Sequence, residues 1–68
     1  MSESRIYIAE EADEGKRLDV FLSEVTEDEL SRSHIKRLID EGNVSVSASR
    51  VKASFKLKCG DEVTIIVP

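Results

Sequence analysis

Aromatic residues, cysteine, histidine and proline are all scarce in this chain of 68 residues. Each shortage removes a class of function. Cys59 stands alone, so neither an internal disulfide nor a thiolate metal site can form, and a lone thiol in a small domain is expected as a buried structural group. The one histidine, His34, has no ordered Ser/Asp partners with which to build a nucleophilic triad, which leaves it as a bystander or a phosphate contact. The aromatics are Tyr7, Phe21 and Phe55 alone; Phe21 and Phe55 fall on apolar faces, so single-strand recognition by stacked bases is not offered. The longest apolar stretch, 63–67, is broken by Thr64, too short to span a bilayer. The first residues lack the basic start and apolar run of a signal peptide, which points to a cytoplasmic protein. The only proline is the last residue, and there is neither a Pro/Gly-rich linker nor a repeat.

What is present is a small globular composition, 40% hydrophobic and 35% charged. A chain of this length buries only about 60% of its unfolded surface, so its stability is of the order of a few kcal/mol and a deep dry cleft has little room. The net charge of −4 conceals a division. Residues 1–31 carry ten acids against three bases, and residues 32–68 carry seven bases against four acids. A polyanion responds to the local field rather than the total, so it is the second half that would bind one.

Ile6, Tyr7 and Ile8 suggest a first strand, followed by an acidic, solvated stretch to Gly15. Leu18, Phe21, Leu22 and Val25 then fall at i, i+3, i+4 and i+7, one apolar stripe of a helix, with Asp19 at the positive end of its dipole. The polar segment 26–29 closes it; its acids Glu27, Asp28 and Glu29 read as a solvated loop. Ser31 is an N-cap, Leu30 before it supplies a hydrophobic staple toward Ile35, and Gly42 is placed for a left-handed C-terminus. The short connection predicts a helical hairpin. Val44 and Val46 alternate with serines as a strand, Ser47-Ala48-Ser49 turns without glycine, and Gly60-Asp61 turns into a last strand through Val63, Ile65 and Val67. Between them Val51, Ala53, Phe55 and Leu57 alternate with Lys52, Ser54, Lys56 and Lys58, in a segment that is strand or irregular. The fold class is α+β: a two-helix hairpin packed on a small antiparallel sheet.

The chemistry lies in the second helix. At about 100° per residue, Arg32, Ser33, Lys36 and Arg37 share one arc opposite Ile35, Leu38 and Ile39. The helix N-terminus lies on the same side and favours phosphate; arginine grips phosphate oxygens bidentately, and lysine acts as a point charge. Arg17 opens the first helix near the second. Lys52, Lys56 and Lys58 would lie on one face of an extended backbone. Three basic clusters from separate segments point to backbone and shape recognition of a structured nucleic acid. Nothing assembles a reaction, so no enzyme activity, cofactor or metal site is expected of this chain.

Arg17-Leu18-Asp19, Leu22, Ser31-Arg32-Ser33, Ile35-Lys36, Leu38-Ile39, Gly42-Asn43-Val44, Val46 and Gly60-Asp61-Glu62-Val63 together resemble the S-four-type RNA-binding domain, named after the fourth protein of the small ribosomal subunit. The acidic lead-in and the run from Lys52 to Val63 look most like the N-terminal domain of bacterial ribosomal large-subunit pseudouridine synthases. The resemblance implies the alpha-L RNA-binding motif over 15–68, preceded by a strand and acidic lead-in over 1–14. It also implies structured ribosomal RNA as partner, and RNA contacts at Arg17, Ser31, Arg32, Ser33, Lys36 and Arg37, extended by Lys52, Lys56 and Lys58. In those synthases a separate downstream domain isomerises uridine with an aspartate in an Arg-Leu-Asp sequence. Here that triplet opens a helix, so Asp19 is expected to cap or to pair with a base. The family usually has Asn-Gly where this chain has Ser47-Ala48, a departure that bears on the hairpin turn geometry and not on the helical RNA face. The expected function is an RNA-binding module, monomeric and without a small-molecule ligand, that positions a pseudouridine synthase domain absent from this chain. The alternatives are a stand-alone RNA-binding protein of ribosome rescue or heat shock, and a protein-interaction module using the acidic half.

Overall fold

The computed structural model describes residues 3–27 and 29–68; Asp28, in the middle of the acidic run, lies outside them. Strand β1 (Glu3–Ile8) leads into a short 3-10 turn (Glu11–Asp13), helix α1 (Leu18–Val25) and helix α2 (Arg32–Asp40). Strands β2 (Val44–Val46), β3 (Ser49–Arg50) and β4 (Glu62–Val67) complete the chain. The four strands form one antiparallel sheet in the order β1-β4-β2-β3. This is the expected α+β class, with the hairpin of helices packed on the sheet.

The period-2 pattern sets the sheet's two faces. Val44, Val46, Val63 and Ile65 are buried, while Ile6, Ile8 and Ile66 on the opposite face are exposed. The register agrees: Val63 lies opposite Tyr7 and Val46 on the inner side, and Ile6 faces Thr64 on the outer. The α1 stripe buries Leu18, Phe21 and Leu22 completely, and α2 adds Ile35, Leu38 and Ile39. Each such side chain contributes roughly 1.5–3 kcal/mol of apolar transfer. Phe55 and Tyr7 pack partly buried against the same core, so all three aromatic rings serve packing.

The helix ends follow their local chemistry. Ser31 Oγ accepts the His34 N–H at 3.1 Å, as an N-cap should. At the other end Asn43 N–H donates to Leu38 O and Gly42 N–H to Ile39 O, a Schellman closure with Gly42 at φ +83°. The guanidinium of Arg50 lies over that glycine and donates to Asp40 O at 2.8 Å. At the end of α1 the buried Thr26 hydroxyl donates to Leu22 O at 2.7 Å.

One expectation needs correction. Cys59 is exposed, not buried. Inward alternation ends at Leu57, because Asp61 accepts the Lys58 N–H with its carboxylate, Asp61 N–H donates to Lys58 O, and Gly60 N–H donates to Ala9 O. These bonds bend the chain and leave Cys59 at the tip of a turn. Of the two readings left open for segment 51–58 the irregular one holds: it carries an isolated bridge at Lys56 and no strand, with Lys52, Lys56 and Lys58 exposed. Phe55 N–H folds back to Lys52 O, and the carbonyls of Ala53 and Phe55 turn toward α1. The glycine-free hairpin does close: Ser47 and Ala48 both adopt left-handed φ, 49° and 67°, between Val46 and Ser49.

Candidate nucleic-acid interface

The N-terminus of α1 is built by the irregular segment. Leu18 N–H donates to Phe55 O at 2.8 Å and Asp19 N–H to Ala53 O at 3.3 Å. Val20 N–H is taken by Asp19 Oδ1 at 2.9 Å, and Phe21 N–H by Arg17 O at 2.9 Å. The first-turn donors of α1 are therefore met inside the protein, and anion binding there must come from side chains. The same contact forms an isolated bridge between Arg17 and Lys56. Its bonds run from Leu18 N–H to Phe55 O and from Leu57 N–H to Lys16 O. That is the non-hydrogen-bonded type of pair, which brings the two side chains closest on one side.

Arg17, Lys36, Asp40, Lys52, Ala53 and Ser54 line one open groove. Three of the expected contacts, from the start of α1, the middle of α2 and the irregular segment, thus meet around one surface. Arg32 joins through Asp19: its Nη2 lies 3.9 Å from Asp19 Oδ2. Arg17 grips the same carboxylate at 3.2 Å through Nε and 3.3 Å through Nη2. Asp19 therefore does pair with bases, as expected of it, and it also receives the Val20 N–H.

Ser33 and Arg37 are exposed on α2 but do not line the groove, and neither do Lys56 or Lys58. The oxygen of Ser31 is engaged as the helix cap. Asp40 was missed as a groove residue, although it follows Lys36 by four and shares its flank of the helix. Arg50 was missed too; two β3 residues do not announce a helix cap.

The charges divide as the sequence does. In the acidic half, Arg5 pairs with Glu29 at 2.9 Å and Glu3 at 2.7 Å, and Lys16 pairs with Glu24 at 2.7 Å and Asp13 at 3.2 Å. Hydrogen bonding to Arg5 holds the Glu29 carboxyl below its ordinary range. The Glu10 backbone N–H, and then Lys16, do the same for Asp13. Glu24 and Asp13 raise the Lys16 ammonium, and Glu29 and Glu3 raise Arg5. Lys36, Arg37, Lys52, Lys56 and Lys58 have no carboxylate partner among the described residues.

Comparison with known proteins places this arrangement. Residues 16–63 match the S4 domain. The chain belongs to the S4 domain family. The match takes in both helices, β2, β3 and the groove-lining residues. This S4 domain is 40% identical over 60 residues to an uncharacterized RNA pseudouridine synthase, YlyB, of Bacillus subtilis, covering 88% of the chain and 20% of that relative. It is 43% identical over 51 residues to the ribosomal large subunit pseudouridine synthase C of Vibrio parahaemolyticus, covering 75% of the chain and 16% of the relative. The Vibrio vulnificus protein of the same description matches equally, at 43% over 51 residues. The chain thus spans a fifth or less of the length of these relatives. No described helix is long and apolar enough to cross a membrane.

Proposed function

We propose that this S4 domain grips the sugar-phosphate backbone of a structured RNA, with large-subunit ribosomal RNA as the target, and so positions a pseudouridine synthase domain for uridine isomerisation. The observation that carries the reading is the meeting of Arg17, Lys36 and Lys52 on one groove, with Arg32 tied to Arg17 through Asp19. Cations from three segments on a rigid frame fit phosphates spaced along a folded backbone rather than a single small anion. The packed aromatics leave base stacking little part. The names of the relatives favour ribosomal RNA of the large subunit and favour isomerisation as the chemistry served. Catalysis is assigned outside these residues, since the Asp19 carboxylate already accepts from Arg17 and the Val20 N–H, with Arg32 close by. A protein-docking role for the acidic half is disfavoured because Asp13, Glu24 and Glu29 already engage Lys16 and Arg5.

The test is fluorescence anisotropy with a labelled RNA stem-loop across a salt series. Four cations, each releasing about 0.7–0.9 counterions per phosphate, give a log–log slope of about −3, on micromolar or weaker binding. The double variant Arg32→Glu/Lys36→Glu changes exposed residues only, so it should keep the wild-type circular dichroism and lose binding. Retention of binding by the folded variant would sink the assignment.

A further inference from the structure

We propose that Asp19 is a positioning residue, holding the guanidinium groups of Arg17 and Arg32 as a preformed pair for backbone phosphate. This rests on the RNA-binding reading above. The direction of the effect follows from what is fixed and what is free. The Asp19 side chain is 13% exposed, whereas those of Arg17 and Arg32 are 53% and 67% exposed. Asp19 is anchored from both ends: its N–H bonds Ala53 O, and its Oδ1 accepts the Val20 N–H at 2.9 Å. A rigid carboxylate at the foot of two long, solvated side chains restrains them rather than the reverse. Each arginine loses rotamer entropy when ordered; restraint in the free protein removes part of that loss from the binding step.

The geometry leaves both guanidiniums able to bind. Arg17 uses Nε and one Nη2 donor on the carboxylate, and its other N–H groups remain for a ligand. Arg32 at 3.9 Å is beyond hydrogen-bond reach of Asp19, so it is attracted without being consumed. The pair joins the start of α1 to the start of α2. Relative helix placement thereby becomes spacing between two phosphate contacts, a basis for preferring folded RNA over a flexible strand.

Simple electrostatics makes the opposite prediction. If Asp19 only subtracted charge from the basic face, neutralising it would strengthen RNA binding. On the positioning account Asp19→Asn weakens it, raising Kd for an RNA stem-loop about tenfold and reducing the salt slope by about one. Affinity for an oligouridine of equal length changes little. Arg17→Lys keeps the charge at an exposed position but cannot make the bidentate grip; it should lose most of what Arg17→Ala loses. In a double-mutant cycle, Asp19→Asn should add little to Arg17→Ala. Binding is measured at a temperature where circular dichroism shows each variant folded, and Arg17→Lys carries the test should Asp19→Asn not fold. Unchanged or tighter stem-loop binding by Asp19→Asn, or wild-type affinity in Arg17→Lys, overturns the inference while leaving RNA binding intact. A wild-type protein that binds neither RNA overturns the function itself.

Discussion

Replacing Ser47-Ala48 by Asn-Gly should stabilise the domain without touching the groove. Both residues sit in the left-handed region, at φ 49° and 67°, in a two-residue connection between β2 and β3. Positive φ at both central positions is the signature of a type I′ turn, whose twist suits antiparallel strands and which favours Asn-Gly. An ordinary L-residue there costs roughly 1–2 kcal/mol. Ala48→Gly relieves that strain but returns about 0.5–1 kcal/mol to the unfolded state as backbone entropy. Ser47→Asn replaces a residue that tolerates the conformation poorly with one that adopts it through local hydrogen bonding. The net gain for the pair is about 1 kcal/mol. For a domain of this size that raises Tm by about 4–8 °C. Thermal and urea melts followed by circular dichroism read it directly, with an unchanged m-value expected because the surface exposed on unfolding is the same. An unchanged or lowered Tm would refute the reasoning: either the turn stores no strain, or serine and alanine find compensation that no contact explains. Stem-loop affinity should be unchanged, since neither residue lines the groove.

Two further outcomes follow from the same structure. Ser31→Ala removes the acceptor for the His34 N–H and should cost about 1 kcal/mol, whereas Ser31→Gly costs only a few tenths; equal losses on chemical denaturation would show that the hydroxyl is not the cap. Stability should also fall as pH drops through the carboxylate range. The folded-state pKa of Glu29 and of Asp13 lies below the unfolded value, so their contribution is present at neutral pH and is lost as the folded groups protonate. The raised Lys16 ammonium works in reverse, its contribution lasting until pH climbs through its folded value. Glu29→Gln should flatten the acid limb of a Tm-against-pH profile, and an identical limb would remove the Arg5–Glu29 pair from the account.

What could be read from the sequence was local. The stripe Leu18, Phe21, Leu22, the cap at Ser31 and the left-handed Gly42 each depend on neighbours within a turn or two, and each forms as expected. The face of α2 was readable for the same reason. What could not be read depends on contacts across the chain. The carbonyls of Ala53 and Phe55 reach α1 from more than thirty residues away. No periodicity announces that contact, because such a segment alternates in burial like a strand while its hydrogen bonds go to a helix end. The same long-range contact decides the site: it sets Lys52 in the groove and Lys56 beside Arg17, and it closes the α1 N-terminus to phosphate. Cys59 was misjudged because thiols favour interiors on average, while the position of this one is dictated by the Asp61 turn.

The acidic balance is then compatible with a phosphate-binding face, and it sharpens what that face can bind. Glu3, Asp13, Glu24 and Glu29 gather around Arg5 and Lys16, so these two bases are neutralised where they stand. The groove keeps its own cations, of which Arg17 alone among the described residues has a carboxylate partner, Asp19, shared with Arg32 beside the groove. At physiological salt, charges more than about 8 Å apart are largely screened, so a phosphate seated in the groove feels Arg17, Lys36 and Lys52, set against Asp40 in the same lining, far more than the distant excess of acids. An RNA that misses the groove meets a domain of net negative charge and is repelled. Local attraction combined with general repulsion disfavours non-specific adherence more than it weakens the seated complex. On the proposed role, placing a synthase domain at one position on a large RNA, that difference between affinities matters more than affinity itself.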